Sequence, residues 1–195
     1  MIIVLDAGHG ENTPGKRSPD GKLREYKYCR EIMKSVKEGL ENLGYTVFTT
    51  IDTDYDVPLN TRVRTINKYC TQYGASNVLS VSIHCDAKGT AGKWENARGW
   101  SVRVALKHST NSEKLAESLY NAAKSKGLKT RPYSVKSVYW PQNLAICRDT
   151  KCPAVLTENL FMDNKEDCEY LLSEEGRKTI TALHIDGIVN YIKNK

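Results

Sequence analysis

The 195 residues contain no long hydrophobic run. The longest uninterrupted apolar stretch is Met1-Ile2-Ile3-Val4-Leu5, far short of the ~18 residues that suggest a membrane span, so no membrane insertion is expected. The stretch has no basic n-region, and Asp6 ends it too early for the apolar core of a signal peptide. A secretory leader is therefore not expected, and work outside the cytoplasm would need another exit route. The six cysteines (Cys29, Cys70, Cys85, Cys147, Cys152, Cys168) include no C-x-x-C pair. That spacing argues against a cysteine zinc site, and the chain is too long for a small disulfide scaffold. They read as mostly buried free thiols. Repeats, low-complexity tracts and Pro/Gly/Ser linkers are also missing, so residues 1–195 are expected to form one domain.

What is present is the composition of a globular protein. Hydrophobic residues make up 39% and charged residues 27%, which places the chain away from the disordered class. Lys and Arg number 29 against 23 Asp and Glu, a net charge of +6. Such an excess can attract nucleic acid, an anionic membrane surface or an acidic polymer, but here both signs are interspersed, as on an ordinary solvated surface. No basic helix or stacking motif points to nucleic acid.

Periodicity supplies the elements. Residues 1–6 read as a strand running into Gly8-His9-Gly10 and a polar loop that ends near Glu25. Tyr28, Ile32, Met33, Val36, Leu40 and Leu43 then recur at helical spacing, with Gly44 as the stop. A strand over 45–51 and a helix from Leu59 to Gly74 follow. Leu79, Val81 and Ile83 alternate with Ser80, Ser82 and His84, which predicts a strand ending at His84. Further strands are expected at 99–106 and 153–158, and a helix opened by a Thr110-x-x-Glu113 capping box. Residues 128–142 are expected to be a loop, and the last helix to span 175–193. Strands alternating with helices predict an α/β fold in three layers: a mostly parallel twisted sheet with helices on both faces.

In such sheets the ligand crevice lies beyond the carboxyl ends of the strands. Three predicted strands stop at His9, His84 and Glu158. Two histidines and a carboxylate at strand ends suit a catalytic zinc, which keeps a fourth position for water. Spacing leaves the third ligand open among Glu11, Asp20, Glu25, Asp86 and Glu158. Glu25 could fold back over the strand ends, or simply complement a helix N-terminus. His184 lies on the apolar stripe of the last helix and reads as a satisfied, partly buried histidine; His108 reads as a surface residue. Arg62 could hold a carboxylate of the site or be an exposed helix charge. Tyr139 and Trp140, with Tyr133, could line a groove for sugar or peptide or anchor their loop.

The run Val4-Leu5-Asp6-Ala7-Gly8-His9-Gly10, Glu25 at a helix start, Leu59-x-x-Arg62, Ser82-Ile83-His84 and Pro153-Ala154-Val155-Leu156-Thr157-Glu158-Asn159-x-Phe161-x-x-Asn164 together resemble the zinc-dependent N-acetylmuramoyl-L-alanine amidases. These are peptidoglycan amidases of the autolysin and endolysin type. The resemblance implies that His9, Glu25 and His84 hold one Zn²⁺ and that Glu158 is the catalytic carboxylate. It also implies action at the bacterial cell wall, with peptidoglycan as substrate and an anionic wall polymer as a partner that the +6 charge would favour. Two positions depart from the family pattern: Asp86 where many members have Asn, and Glu11 where many have a second Gly. Both are expected to alter substrate contacts or local charge, and Asp86, Arg62, Tyr139 and Trp140 are the candidate substrate-binding residues. The competing readings are a zinc peptidase acting on another wall peptide bond and a non-catalytic wall-binding module.

Overall fold

The computed structural model describes residues 1–89 and 92–195. Strand β1 (Ile2–Ala7) leads through the Gly8–Arg24 loop to helix α1 (Glu25–Asn42), β2 (Thr46–Thr49) and α2 (Leu59–Tyr73). Next come β3 (Val78–Asp86), β4 (Ser101–Ala105), α3 (Thr110–Ser125), β5 (Tyr139–Gln142) and the short α4 (Ala145–Arg148). The chain ends with β6 (Ala154–Phe161), α5 (Lys165–Leu172) and α6 (Glu174–Lys193). The sheet order is β2-β1-β3-β6-β4-β5. Strands β2, β1, β3 and β6 are parallel, whereas β4 pairs antiparallel with β6 and carries β5 parallel on its outer edge.

The two faces of the sheet differ in kind, because successive side chains along a strand point to opposite sides. One face carries Ile3, Leu5, Val81, Ile83, Val155, Val102 and Val104 into the main core, together with residues of α1, α3, α5 and α6. The other carries Val4 and Leu156 into a smaller cluster with Val63, Ile66 and Cys70 of α2 and Ile146 of α4. That second face also bears Asp6, Ser82, His84, Glu158, Arg103 and Trp140, as the strand registers require. The expected three layers are therefore present, with one face apolar and the other partly polar.

Several local expectations are corrected. Residues 139–142 form the edge strand β5 where a loop is predicted; Pro141 masks it in the sequence, since proline is tolerated on edge strands. Helix α5 was not foreseen; Asn164 caps it by accepting from Asp167 N–H at 3.1 Å. Helix α3 is capped by Ser109, which accepts from Ser112 N–H, and Thr110 is already helical. Glu113 instead accepts from His108 and from the Tyr139 hydroxyl. His108 is accordingly half-buried. All six cysteines are free and buried. Among the described residues no helix is long and apolar enough to cross a membrane.

Candidate metal centre and active site

The Gly-His-Gly run is explained by crowding. A Cβ on Gly8 would fall 2.5 Å from His84 Nδ1, and one on Gly10 would fall 2.0 Å from the Asp56 backbone nitrogen. Between them His9 adopts φ 58°, a left-handed conformation that costs a non-glycine residue roughly 1–3 kcal/mol unless its surroundings enforce it. Two buried arginines do so. Arg30 of α1 donates to the His9 carbonyl at 2.9 Å, and Arg62 of α2 donates to the same oxygen at 3.2 Å. Arg62 also pairs with Asp56 at 2.7 Å and Asp6 at 3.3 Å, and donates to the carbonyls of Val57 and Ala7. Asp6 is itself buried and accepts from the hydroxyls of Thr50 and Ser82.

Glu25, the first residue of α1, is 1% exposed. Its Oε1 accepts from Cys85 N–H at 3.1 Å and lies 3.2 Å from His84 Nδ1, while Oε2 lies 3.4 Å from His9 Nε2. Ligand atoms of His9, Glu25 and His84 all fall within 4.8 Å of one another. Burial works against the Glu25 carboxylate, but His84 and His9 outweigh it and hold its pKa well below the usual carboxylate range. Burial likewise opposes charge on His84, and Glu25 overrides it to raise the imidazole's pKa.

Glu158 stands opposite His84 in the β3–β6 register. The next matched pair is Asp86 with Phe161, so β6 carries one extra residue there, and Leu160 takes φ 63° within the bulge. Bulges of this kind re-aim side chains beside active sites. Glu158 Oε2 is buried without a hydrogen-bond partner among the described residues. Burial pushes its pKa up to about 8, with Asp86 and Glu25 adding to the rise and His84 and Arg103 opposing it.

The remaining candidates separate. Asp86, at the end of β3, accepts from Arg103 at 2.9 Å and Arg131 at 3.0 Å. Trp140 pairs with Arg103 across β4 and β5 and so shares the Glu158 face. Tyr139, one residue earlier, points the other way: its hydroxyl donates to Glu113 of α3 at 2.9 Å and its ring meets His108 edge-on. The sheet does not bring Tyr139 to the site, because adjacent strand residues cannot face one side. His184 is fully buried, with Nδ1 2.7 Å from the Ile180 carbonyl and Nε2 2.9 Å from Thr157 Oγ1. Three arginines, Arg30, Arg103 and Arg131, were missed. The available signal for Arg103 was a charge in the middle of the apolar Ser101–Ala105 strand.

Residues 3–190 match the family model for N-acetylmuramoyl-L-alanine amidases. The chain belongs to this amidase family. It is 30% identical to an endolysin of Bacillus phage SPP1, covering 100% of this chain and 67% of that protein. With the N-acetylmuramoyl-L-alanine amidase AmiC of Neisseria meningitidis serogroup B the identity is 27%, over 98% of this chain and 52% of the relative. The amidase-family chain thus spans between about half and two thirds of the length of these two curated relatives. A crystal structure of an N-acetylmuramoyl-L-alanine amidase from Clostridium difficile 630 has the same fold, with a TM-score of 0.86 at 20% identity, covering 100% of this chain and 97% of that one.

Proposed function

We propose that this chain is the catalytic domain of a zinc-dependent amidase of endolysin or autolysin type. It hydrolyses the amide between the lactyl group of N-acetylmuramic acid and the L-alanine of the peptidoglycan stem. The observation that carries this reading is the convergence of His9, Glu25 and His84 with Glu158 paired beside His84. His9, Glu25 and His84 are the residues that would hold the metal. Two ligands at zinc bonding distance on a tetrahedron stand about 3.3 Å apart, close to the 3.2 and 3.4 Å that separate Glu25 from the two imidazoles. Glu25 Oε2 is buried without a hydrogen-bond partner among the described residues, and two imidazoles with one carboxylate are a donor set suited to zinc. Bound there, zinc supplies a Lewis acid that polarises the scissile carbonyl and lowers the pKa of water toward ~7.

The chain's own residues do the rest. Glu158 takes the proton of the attacking water and returns it to the nitrogen of the leaving L-alanine. Burial raises the pKa of Glu158 to about 8, and the charge of a zinc ion beside it would lower that value toward the range in which the carboxylate accepts a proton. Arg30 and Arg62 fix the backbone of His9 and so orient its ring. A cavity of about 230 Å³ adjoins His9 and His84 and is walled by Leu144, Ile146 and Leu156; it offers room for an apolar part of the substrate. The +6 charge supports attraction to the anionic bacterial wall.

The test is digestion of purified peptidoglycan. New free L-alanine amino groups, lost with a chelator and restored by zinc, are expected. Reducing sugar ends or new D-amino-acid termini would sink the reading and, in the second case, point to a peptidase.

A further inference from the structure

Two arginines converge beside Glu158 without entering the chemistry above. Arg103 is 7% exposed, and its Nε is buried with no partner among the described residues. Arg131 reaches the same place from the loop before β5. Both donate to Asp86 Oδ2, whose other oxygen accepts from Ala87 N–H. Arg103 and Arg131 share one oxygen of Asp86, and the donors not turned toward Asp86 remain for a ligand.

The arginines are held rigidly. The guanidinium of Arg103 lies 5.0 Å from the Trp140 ring centre, and that of Arg131 lies 5.5 Å from the Trp140 and 4.6 Å from the Phe161 ring centre. The side chain of Arg131 is still 29% exposed, so its planar fork is fixed in orientation yet open to solvent. Such a fork recognises carboxylate better than a lysine would. Arg103 shares the face of Glu158: Ser101 pairs with Glu158, and Arg103 is two residues further along β4, a step of about 7 Å.

On the α2 side of the centre the buried guanidinium is already committed. The cavity beside His9 and His84 contains Arg62, but that guanidinium is occupied by Asp6, Asp56 and backbone carbonyls. The substrate chemistry then orients the ligand. In an N-acetylmuramoyl-L-alanine amide the muramic carboxyl is consumed in the scissile bond, so a free carboxylate must lie on the peptide side.

Resting on the amidase reading, we propose that Arg131, backed by Arg103 on a Trp140 platform, is a subsite that reads a free carboxylate of the stem peptide. The peptide thus lies over β4 and β5. Arg131 is a binding residue, and Arg103 and Trp140 position it.

The test uses the zinc-loaded chain and two N-acetylmuramoyl-L-alanyl dipeptides that differ only in a free or amidated α-carboxyl on the second peptide residue. A charge-assisted contact of this kind predicts a preference for the free acid of about 10- to 100-fold in kcat/KM, carried mainly by KM. Arg131→Gln should bring the ratio to within about threefold, and Arg131→Lys should restore part of it. A wild-type ratio near one, or an Arg131→Gln variant that lowers both rates and keeps the ratio, would overturn the subsite and leave Arg131 as a brace for Asp86. Titration of the two product dipeptides followed by NMR gives a second readout that needs no turnover. If neither substrate is cleaved, the amidase reading fails by itself. The subsite then stands if the free-acid dipeptide binds more tightly than its amide, and falls if the two bind equally or not at all.

Discussion

Gly8 and His84 lie in such close contact that a single methyl group on Gly8 would come within 2.5 Å of the imidazole Nδ1. The absence of a side chain at one strand end is therefore a condition for the ring position at the end of its neighbour. Gly8→Ala is expected to displace the His84 ring and weaken zinc binding about 10- to 100-fold, the usual effect of disturbing a ligand's supporting shell. Zinc titration with a competing chelator measures this, with circular dichroism confirming that the fold persists. Unchanged affinity would show that the ring has another place to sit.

Glu158 and His84 should respond differently to removal. Glu158→Gln keeps the size of the side chain and is expected to retain bound zinc while losing about 10²- to 10⁴-fold in turnover. His84→Ala is expected to lose both metal and activity. Zinc stoichiometry and release of L-alanine amino groups distinguish the two, and full activity in either variant removes that residue from the mechanism.

Arg62 is a matter of stability as well as of orientation. Its removal leaves Asp6, 1% exposed, as a buried carboxylate supported, among the described residues, by the hydroxyls of Thr50 and Ser82. Breaking one partner of a buried pair costs about 3–5 kcal/mol. Arg62→Met should therefore lower the urea midpoint strongly, and the double variant Asp6→Asn/Arg62→Met should recover part of the loss. A single-variant effect below about 1 kcal/mol would mean that the pair carries little weight.

His184 makes stability depend on pH. Burial drives its pKa down to about 4 from the ordinary 6.5, and the neutral ring can donate from Nδ1 to the Ile180 carbonyl and accept at Nε2 from Thr157. Between those two values the unfolded chain binds the proton and the folded chain does not, so stability falls as pH drops. The contribution is fully present above about pH 6.5 and is lost progressively toward pH 4, reaching about 3 kcal/mol. Urea denaturation from pH 7.5 to 4 should show this slope in the wild type and a flatter one in His184→Gln. Identical slopes would assign the pH dependence to other groups.

Legibility differed from element to element for physical reasons. Helices α1 and α2 announce themselves by a one-sided apolar stripe, and β3 by strict alternation. Strand β5 was hidden because four residues with a central proline carry no periodic signal, and α5 because eight residues are too few for one. Tyr139 and Trp140 looked equivalent as neighbouring aromatics in a presumed loop. Once they are strand residues, the pleat sends one to α3 and the other to the Glu158 face.

By itself, the sequence determined the α/β class, the strands that carry His84 and Glu158 near their C-terminal ends, although those strands run on to Asp86 and Phe161, and, through ordered motifs, membership of an amidase family. The class and the strands follow from local periodicity and composition, which a chain displays without folding, and the family follows from the resemblance of its motifs. Only the tertiary structure decided that Glu25 closes against both imidazoles, since helix α1 must fold back over the sheet to bring it there. It alone decided that Arg62 and Arg30 meet at one carbonyl, and that Arg103 and Arg131 converge on Asp86 beside Glu158. Those contacts join residues 16 to 59 positions apart, and only strand order and the pleat determine which of them share a face.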